Sequence, residues 1–245
     1  MHTMIEYENI DGKFLLYQND AISMHLMRGD LWEPHFKTIV SYIMPRNLNV
    51  LDCGANFGYN SVVMGKLLNS DSKLICFEPQ RKIWEQLKLN LNKNEIRNYE
   101  AYCKCLSEKS NKVVHLNQVD YNQSWVNIGD TSIGSGGEET TTIAIDDLNL
   151  QNVGFIKIDV QGYELFVIRG AINTIKRCNP IIFVELESHQ LVKFGCTKED
   201  VVGLLKELGY LIFNIKTAYY NDDYLCVKDI DQIKNLNNKL FLTGV

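Results

Sequence analysis

The sequence has no run of basic residues, no apolar stretch long enough for a bilayer, no cysteine framework and no proline- or serine-rich linker. Each absence removes a class of protein. Lys and Arg number 25 against 30 Asp and Glu, for a formal net charge of −5. Duplex-binding proteins normally carry a basic face, so nucleic acid is not expected as a partner. The longest apolar stretches, such as Ile181-Ile182-Phe183-Val184, are far too short to span a membrane. The seven cysteines are an odd number without framework spacing, which predicts free thiols in a reducing compartment. The opening run Met1-His2-Thr3-Met4-Ile5-Glu6-Tyr7-Glu8 is acidic and polar, unlike a secretory signal or an Arg-rich transit peptide. The expected location is cytoplasmic. There is no repeat on the scale of a solenoid unit and no low-complexity tract.

What is present is the composition of a globular domain. The 245 residues are 45% hydrophobic and 22% charged, enough to bury a core and stay soluble. Lys13-Phe14-Leu15-Leu16-Tyr17 predicts a short strand. His35 to Met44 predicts an amphipathic helix closed by Pro45, because proline cannot continue it. From Asn49 a strand–helix rhythm sets in. Val50-Leu51 is an apolar strand ending at Asp52, and Ser61 to Leu68 has helical spacing. Leu74 to Phe77 is a strand, Arg81 to Asn92 a helix, and Tyr99 to Leu106 a third strand. From Lys112 to Leu148 apolar and polar residues alternate around Ser135-Gly136-Gly137, which predicts an extended, hairpin-like insertion. The rhythm returns with the strand Phe155 to Asp159, a helix from Tyr163 to Lys176 and a strand from Ile181 to Leu186. A helix from Lys198 to Leu208 and a strand from Tyr210 to Ile215 follow, and Lys228 to Lys239 predicts a final strand and helix region. Alternating units with fully apolar strands predict a doubly wound, parallel α/β sheet covered on both faces. The expected organisation is one domain over 1–245, with a strand and helix extension over 1–46 and the core over 47–245. The core carries the insertion at about 107–150.

Asp52-Cys53-Gly54-Ala55-Asn56-Phe57-Gly58 falls where the first core strand ends and a helix begins. Glycines there let a nucleotide-like ligand approach the backbone above a helix N-terminus. The dinucleotide pattern G-x-G-x-x-G is absent, since the turn offers only Gly54 and Gly58. Asp52 separates the ligands. A carboxylate at the strand end repels a pyrophosphate, whereas S-adenosylmethionine brings a sulfonium and an ammonium and no phosphate. The plainer alternative is a βα turn whose glycines only reverse the chain. Glu78, at the tip of the second core strand, is placed to accept both ribose hydroxyls, as in NAD and S-adenosylmethionine proteins alike. Its alternative is a solvated surface glutamate.

The pattern resembles the FkbM family of S-adenosylmethionine-dependent methyltransferases, which methylate oxygen atoms of sugars and other small molecules. The likeness is carried in order by Trp32-Glu33-Pro34, Val50 to Gly58, Phe77-Glu78-Pro79, Asp146-Asp147-Leu148, Phe155 to Glu164, Arg169-Gly170-Ala171 and Phe183-Val184-Glu185. It covers about residues 30 to 215. The resemblance implies a doubly wound, Rossmann-like class I methyltransferase sheet with a β-hairpin insertion. It also implies S-adenosylmethionine as cofactor and a hydroxyl of a sugar, glycan or other small molecule as acceptor. On the same ground Asp52, Gly54, Asn56 and Gly58 line the methionine and sulfonium end, with Ala55 and Asn60 beside them. Glu78 then holds the ribose, and Leu106-Ser107 lies near the adenine. Glu33 resembles the family's acid ahead of the core, although Trp32-Glu33-Pro34 also reads as a plain helix start. Where the family has I-D-V-E-G-Y/F-E, this chain has Gln161, one charge fewer.

Reactive groups of such a sheet gather outside the carboxyl ends of its strands, here Asp52, Asp159 and Glu185-Leu186-Glu187-Ser188-His189. An alcohol is a poor nucleophile until its proton is leaving, so a base or cation must assist. Asp159 is the leading candidate as base or acceptor orienter. Lys157 shares its strand face, and the two form either a catalytic pair or a buried structural ion pair. Glu185 and Glu187 share another face. His189 follows as a second candidate base, or as a merely exposed histidine. Glu164 fits the first turn of a helix, where the dipole favours a carboxylate. Asp159 and Glu185 are the pair on which Mg²⁺ would converge, so a divalent metal stays open, while no His/Cys cluster has zinc spacing. Cys103 and Cys105, on one strand face, read as core thiols. The glycine segment at 134–137 reads either as a loop closing over an acceptor or as a hairpin tip. Tyr121, Trp125 and Tyr163 are candidate stacking surfaces for a sugar ring, or core aromatics.

Two further functions compete with O-methyl transfer. A dinucleotide-dependent oxidoreductase explains Glu78 but must tolerate Asp52 and lose the middle glycine. A non-catalytic cofactor-binding module is favoured only by Gln161. The sequence leaves the oligomeric state open.

Overall fold

The computed structural model describes residues 4–217, 221–236 and 239–245. Strands β1 (Met4–Glu8) and β2 (Lys13–Tyr17) form an antiparallel hairpin, followed by helices α1 (Ala21–Met27) and α2 (Pro34–Ile43). The alternating core then runs through β3 (Asn49–Cys53), α3 (Tyr59–Gly65), β4 (Leu74–Phe77), α4 (Arg81–Lys93) and β5 (Tyr99–Tyr102). An insertion follows, made of β6 (Cys105–Leu106), β7 (Val113–Asn117) and β8 (Gly136–Ile143). The core resumes with β9 (Val153–Ile158), α5 (Glu164–Arg169), α6 (Ile172–Cys178), β10 (Ile181–Glu185), α7 (Ser188–Leu191), α8 (Lys198–Glu207) and β11 (Leu211–Lys216). Strands β12 (Asp223–Val227) and β13 (Phe241–Gly244) complete it.

Eight strands make one sheet in the order β13-β11-β12-β10-β9-β3-β4-β5. The most apolar runs take the centre: every residue of β9 is buried, as are Val50 to Cys53 of β3. A strand covered on both faces needs no polar alternation. One core packs α2, α3 and α4 with the N-terminal hairpin on one face, and a second packs α5, α6 and α8 on the other. The hairpin is fastened by side chains of α4. Asn90 accepts from the Leu15 N–H at 2.7 Å, and Gln86 donates to the Leu15 carbonyl at 2.7 Å.

The structure departs from the sequence-based expectation in four places. The sheet is mixed, because β12 runs antiparallel between β10 and β11, and β13 pairs antiparallel with β11. The expected strand Tyr99 to Leu106 breaks after Tyr102. Its second part, β6, leaves the main sheet to pair in parallel with β8, so the insertion is a three-stranded sheet and not a free hairpin. Cys103 therefore lies half-buried at the break while Cys105 is buried. In the stretch 228–239, residues 230–236 form a 3-10 helix, and 237–238 lie outside the described residues.

The fourth departure is the helix expected from Tyr163 to Lys176, which is split at Gly170-Ala171. A side chain at Gly170 would meet the Ser107 carbonyl oxygen at 2.1 Å. The close approach of helix and insertion thus requires glycine there. Gly170→Ala is expected to destabilise the protein by about 1–3 kcal/mol through overpacking, read as a lowered urea midpoint. An unchanged midpoint would show that the insertion yields freely.

Candidate active site

The carboxyl ends of β3, β4, β9 and β10 open into a cavity of about 550 Å³. Its first wall is the turn after β3. Gly54 has φ +86°, and a Cβ there would lie 1.8 Å from the Asp159 carbonyl oxygen. The same contact is tied by the Asp159 N–H donating to the Cys53 carbonyl at 3.0 Å. Glycine is required twice over, by conformation and by space. Gly54→Ala is expected to destabilise the fold by about 2–4 kcal/mol and to shift the wall that a cofactor would touch. Denaturation together with ligand titration would reveal it.

Glu78 fixes the rest of this turn. Its carboxylate accepts from the Asn56 N–H at 3.0 Å and from the Gln80 N–H at 2.9 Å. Burial pushes the Glu78 carboxyl up to about 7, against the pull of those hydrogen bonds.

The floor is a cluster of charges around one lysine. Lys157 is 3% exposed and lies opposite Asp52 in the pairing of β3 with β9. Its ammonium donates to Asp159 at 2.9 Å. Burial alone would lower the lysine pKa, but Asp159, Asp52 and Glu33 outweigh it and hold the ammonium charged. Burial would raise Asp159, yet Lys157 and hydrogen bonds from Glu185 and Gln161 keep it below the ordinary carboxylate range. Glu185 moves the opposite way, well up, through burial and the nearby charges of Asp159, Asp223 and Glu33. A protonated Glu185 thus bonds to an ionised Asp159, two carboxyls driven apart by like-charge repulsion.

Glu33 stands at the head of α2 in a left-handed conformation (φ +43°), with Asn60 donating to it at 2.7 Å. Burial lifts its carboxyl to about 7 despite Lys157. A non-glycine residue in that conformation stores strain of a kind concentrated at functional sites.

The roof comes from the insertion, whose Asn127 and residues 129–133 also line the cavity. Backbone bonds from Ala21 to Val126 (2.9 Å) and from Val126 to Asn19 (2.9 Å) fasten it to the N-terminal extension. Gln190 fastens it to α7 by donating to Asp130.

Several expected site residues lie on the cavity surface: Glu33, Gly54, Ala55, Asn56, Asn60, Glu78, Leu106, Lys157, Asp159, Glu185 and His189. Three do not. Asp52 is fully buried beneath the turn, accepting from Ser61 at 2.5 Å, and its other oxygen has no hydrogen-bond partner. Gly58 starts α3 with φ +92° and abuts Leu87 of α4, so it serves helix packing. Ser107 is buried behind Leu106, its N–H held by the Ile143 carbonyl. His189 sits on a short helix and not in a loop, its side chain 67% exposed at the rim and 3.7 Å from Glu187.

Other expectations are corrected as well. Trp125 is exposed outside the cavity, and Tyr121 lies beside it, bonded to Gln80. Only Tyr163 of the three aromatics lines it. Gly136 and Gly137 belong to β8, so the roof precedes the glycine segment. Among the described residues no group of three or more His, Cys, Asp or Glu is arranged to hold a metal.

Glu164 is a brace for the loop before α5. It accepts from the Val160 and Gly162 N–H groups at 3.1 and 3.0 Å, and burial pushes its carboxyl up to about 7. A carboxyl raised on folding adds stability below its ordinary pKa, and that stability is lost as pH climbs through about 7. Glu164→Gln keeps the accepting oxygen and removes the titration. Its denaturation midpoint should therefore fall less than that of the wild type between about pH 4.5 and 7.

Sequence reasoning missed four participants. His35 and Asp223, bonded at 2.7 Å and both buried, lie under the floor. Asp223 opposes Glu185 across β10 and β12, and the apolar run after it was the available signal for that strand. Gln190 and Asp130 carry no local pattern and become visible only through tertiary contact.

The residues fit S-adenosylmethionine better than a dinucleotide. Both lysines on the cavity wall are engaged, Lys157 with Asp159 and Lys104 with Thr141 at 2.6 Å. A pyrophosphate would find Lys104, still charged behind its bond to a neutral hydroxyl, but would also meet Glu33 and Glu78, whereas a sulfonium and an ammonium suit those acids.

The protein is similar in fold to an FkbM methyltransferase from Methylobacillus flagellatus KT, with TM-score 0.51 and 16% identity over 74% of this chain and 44% of that one. This chain therefore spans less than half the length of that relative. An S-adenosylmethionine-dependent O-methyltransferase from Thermotoga maritima aligns with TM-score 0.49 and 12% identity, over 88% of this chain and 72% of that one. An O-methyltransferase from Bacillus cereus in complex with S-adenosylhomocysteine gives TM-score 0.49 and 13% identity, over 84% and 86%. No curated protein matches in sequence. Residues 52–212 match the family model described as the methyltransferase FkbM domain. The chain belongs to the FkbM family of S-adenosylmethionine-dependent methyltransferases.

Proposed function

We propose that the protein methylates a hydroxyl of a small, uncharged acceptor such as a sugar, in the cytoplasm. The observation that carries this reading is one cavity bounded on one side by the Gly54 turn and Glu78 and on the other by Lys157, Asp159 and Glu185. The first side suits the ribose and methionine ends of the cofactor, with Leu106 toward the adenine. The second suits a polar acceptor. When bound, S-adenosylmethionine supplies an electrophilic methyl group.

Asp159 orients the acceptor hydroxyl and takes its proton. An oxygen gaining a carbon bond becomes strongly acidic, so a carboxylate held at low pKa is a sufficient proton acceptor late in the step. Lys157 keeps Asp159 ionised beforehand and disperses charge around it. Glu185, protonated, donates to Asp159 and fixes the position of the carboxylate. Six acids line the cavity wall (Glu33, Glu78, Asp130, Asp159, Glu187 and the protonated Glu185), against the lysines Lys104 and Lys157. That balance disfavours phosphorylated or carboxylated acceptors. Seven unpaired cysteines support a reducing compartment.

The test is transfer of labelled methyl from S-adenosylmethionine across paired acceptors, each neutral sugar beside its phosphate ester. Labelled product with neutral members and none with the esters is expected. Cofactor binding without product anywhere on the panel would instead favour a binding module.

A further inference from the structure

Gln161, two residues after Asp159, is the last link in a chain of hydrogen bonds that runs in one direction only. Lys193 donates to Gln190 Oε1 at 2.5 Å. Gln190 Nε2 donates to Gln161 Oε1 at 2.9 Å and also to Asp130. Gln161 Nε2 donates to Asp159 Oδ1 at 2.8 Å. An ammonium can only donate and a carboxylate can only accept. The two ends therefore fix the orientation of both amides between them. Gln190 must turn its oxygen to Lys193, which leaves its NH₂ for Gln161 and Asp130. Gln161 must then turn its NH₂ to Asp159.

The backbone is shaped for this arrangement. Gln161 and Gly162 both have positive φ (+55° and +99°), and a Cβ on Gly162 would lie 2.4 Å from the Gln190 carbonyl oxygen. The loop is thus pressed onto α7. Gln190 is 1% exposed, so the central link is shielded from water, where such chains polarise one another. With Gln161 on Oδ1 and Lys157 on Oδ2, both oxygens of Asp159 are held.

We propose that Gln161 is a positioning residue for Asp159, locked through Gln190 by Lys193 and Asp130, so that the clasp holding the roof also orients the acceptor-facing carboxylate. The proposal rests on the acceptor-facing role of Asp159 given above. A glutamate at 161 could still accept from Gln190 but could not donate to Asp159. It would set two carboxylates together.

Other charges also act on Asp159. Lys157 faces it from its own strand, Glu185 from β10, Asp52 from β3 and Glu33 from the head of α2. Glu78, Glu164 and Glu187 complete its surroundings. None of these is altered in the test below, so they form a common background.

The test is carboxyl ¹³C NMR titration of Asp159 in the full chain without cofactor or acceptor, assigned by difference from Asp159→Asn. Gln161→Glu is expected to raise the Asp159 midpoint by at least about one pH unit. Gln161→Ala should raise it less, and Lys193→Met, a change at the exposed end of the chain that spares the fold, least of all. A midpoint identical to wild type in both Gln161→Ala and Lys193→Met overturns the proposal. The measurement involves no methyl transfer, so its failure is distinct from a failure of the methyltransferase reading. A structural brace alone would lower stability without moving this titration.

Discussion

Lys157→Met costs the folded protein about 3–5 kcal/mol, as expected when one partner of a buried charge cluster is removed. Methionine matches much of the lysine stem and leaves little cavity, so the loss isolates the charge. Lys157 is 3% exposed, and its ammonium is what offsets the raising effect of burial on Asp159, Asp52 and Glu33. The loss should depend on pH. Asp159 has a depressed pKa, so its contribution is present above the ordinary carboxylate pKa and disappears as pH falls through the folded value. Without Lys157 the carboxyls rise and take protons. The deficit relative to wild type should therefore be larger near pH 8 than near pH 5, in urea denaturation at about those two values. Equal deficits at both would mean that packing, not charge, sets the cost.

Asp159→Asn lowers turnover on an identified acceptor by roughly 10²- to 10⁴-fold, the range for loss of a positioned proton acceptor. The exchange is nearly isosteric but takes the nearest counter-charge from buried Lys157, so stability should fall as well, and turnover is read per folded protein with S-adenosylhomocysteine binding as the check on folding. His189→Ala, at an exposed rim position, should leave turnover near wild type. The reverse pattern, with His189 essential and Asp159 dispensable, would move the base to α7.

Much of the site was legible because its residues sit at strand ends. Gly54, Glu78, Asp159 and Glu185 each follow or end a short apolar run of strand length, and Lys157 lies within one; strand ends of a doubly wound sheet converge. Such runs located β3, β4, β9 and β10 closely. Glu185 and Asp159 could be named separately but not as a proton-sharing pair, because that depends on burial and on Asp223 in a strand that was not foreseen. The insertion was legible as extended but not as the roof, since Asp130 and Gln190 meet across 60 residues. The resemblance places Asp52, at the end of β3, at the methionine end of the cofactor. The side-chain alternation of that strand instead turns it under the turn, toward Ser61 and Lys157. The break at Gly170 shows the same limit: helical spacing continues through it, while tertiary contacts hold the split, with Ser107 packed on Gly170 and Asp146 accepting from the Asn173 and Thr174 N–H groups.

The cofactor assignment is tested most directly by calorimetric titration of the full chain with S-adenosylhomocysteine. The expected result is one-to-one binding that Glu78→Ala weakens by roughly tenfold or more, the size of a lost charged hydrogen-bond partner. Absence of binding to the wild-type protein would contradict the assignment of the cavity, and with it the methyl transfer proposed here.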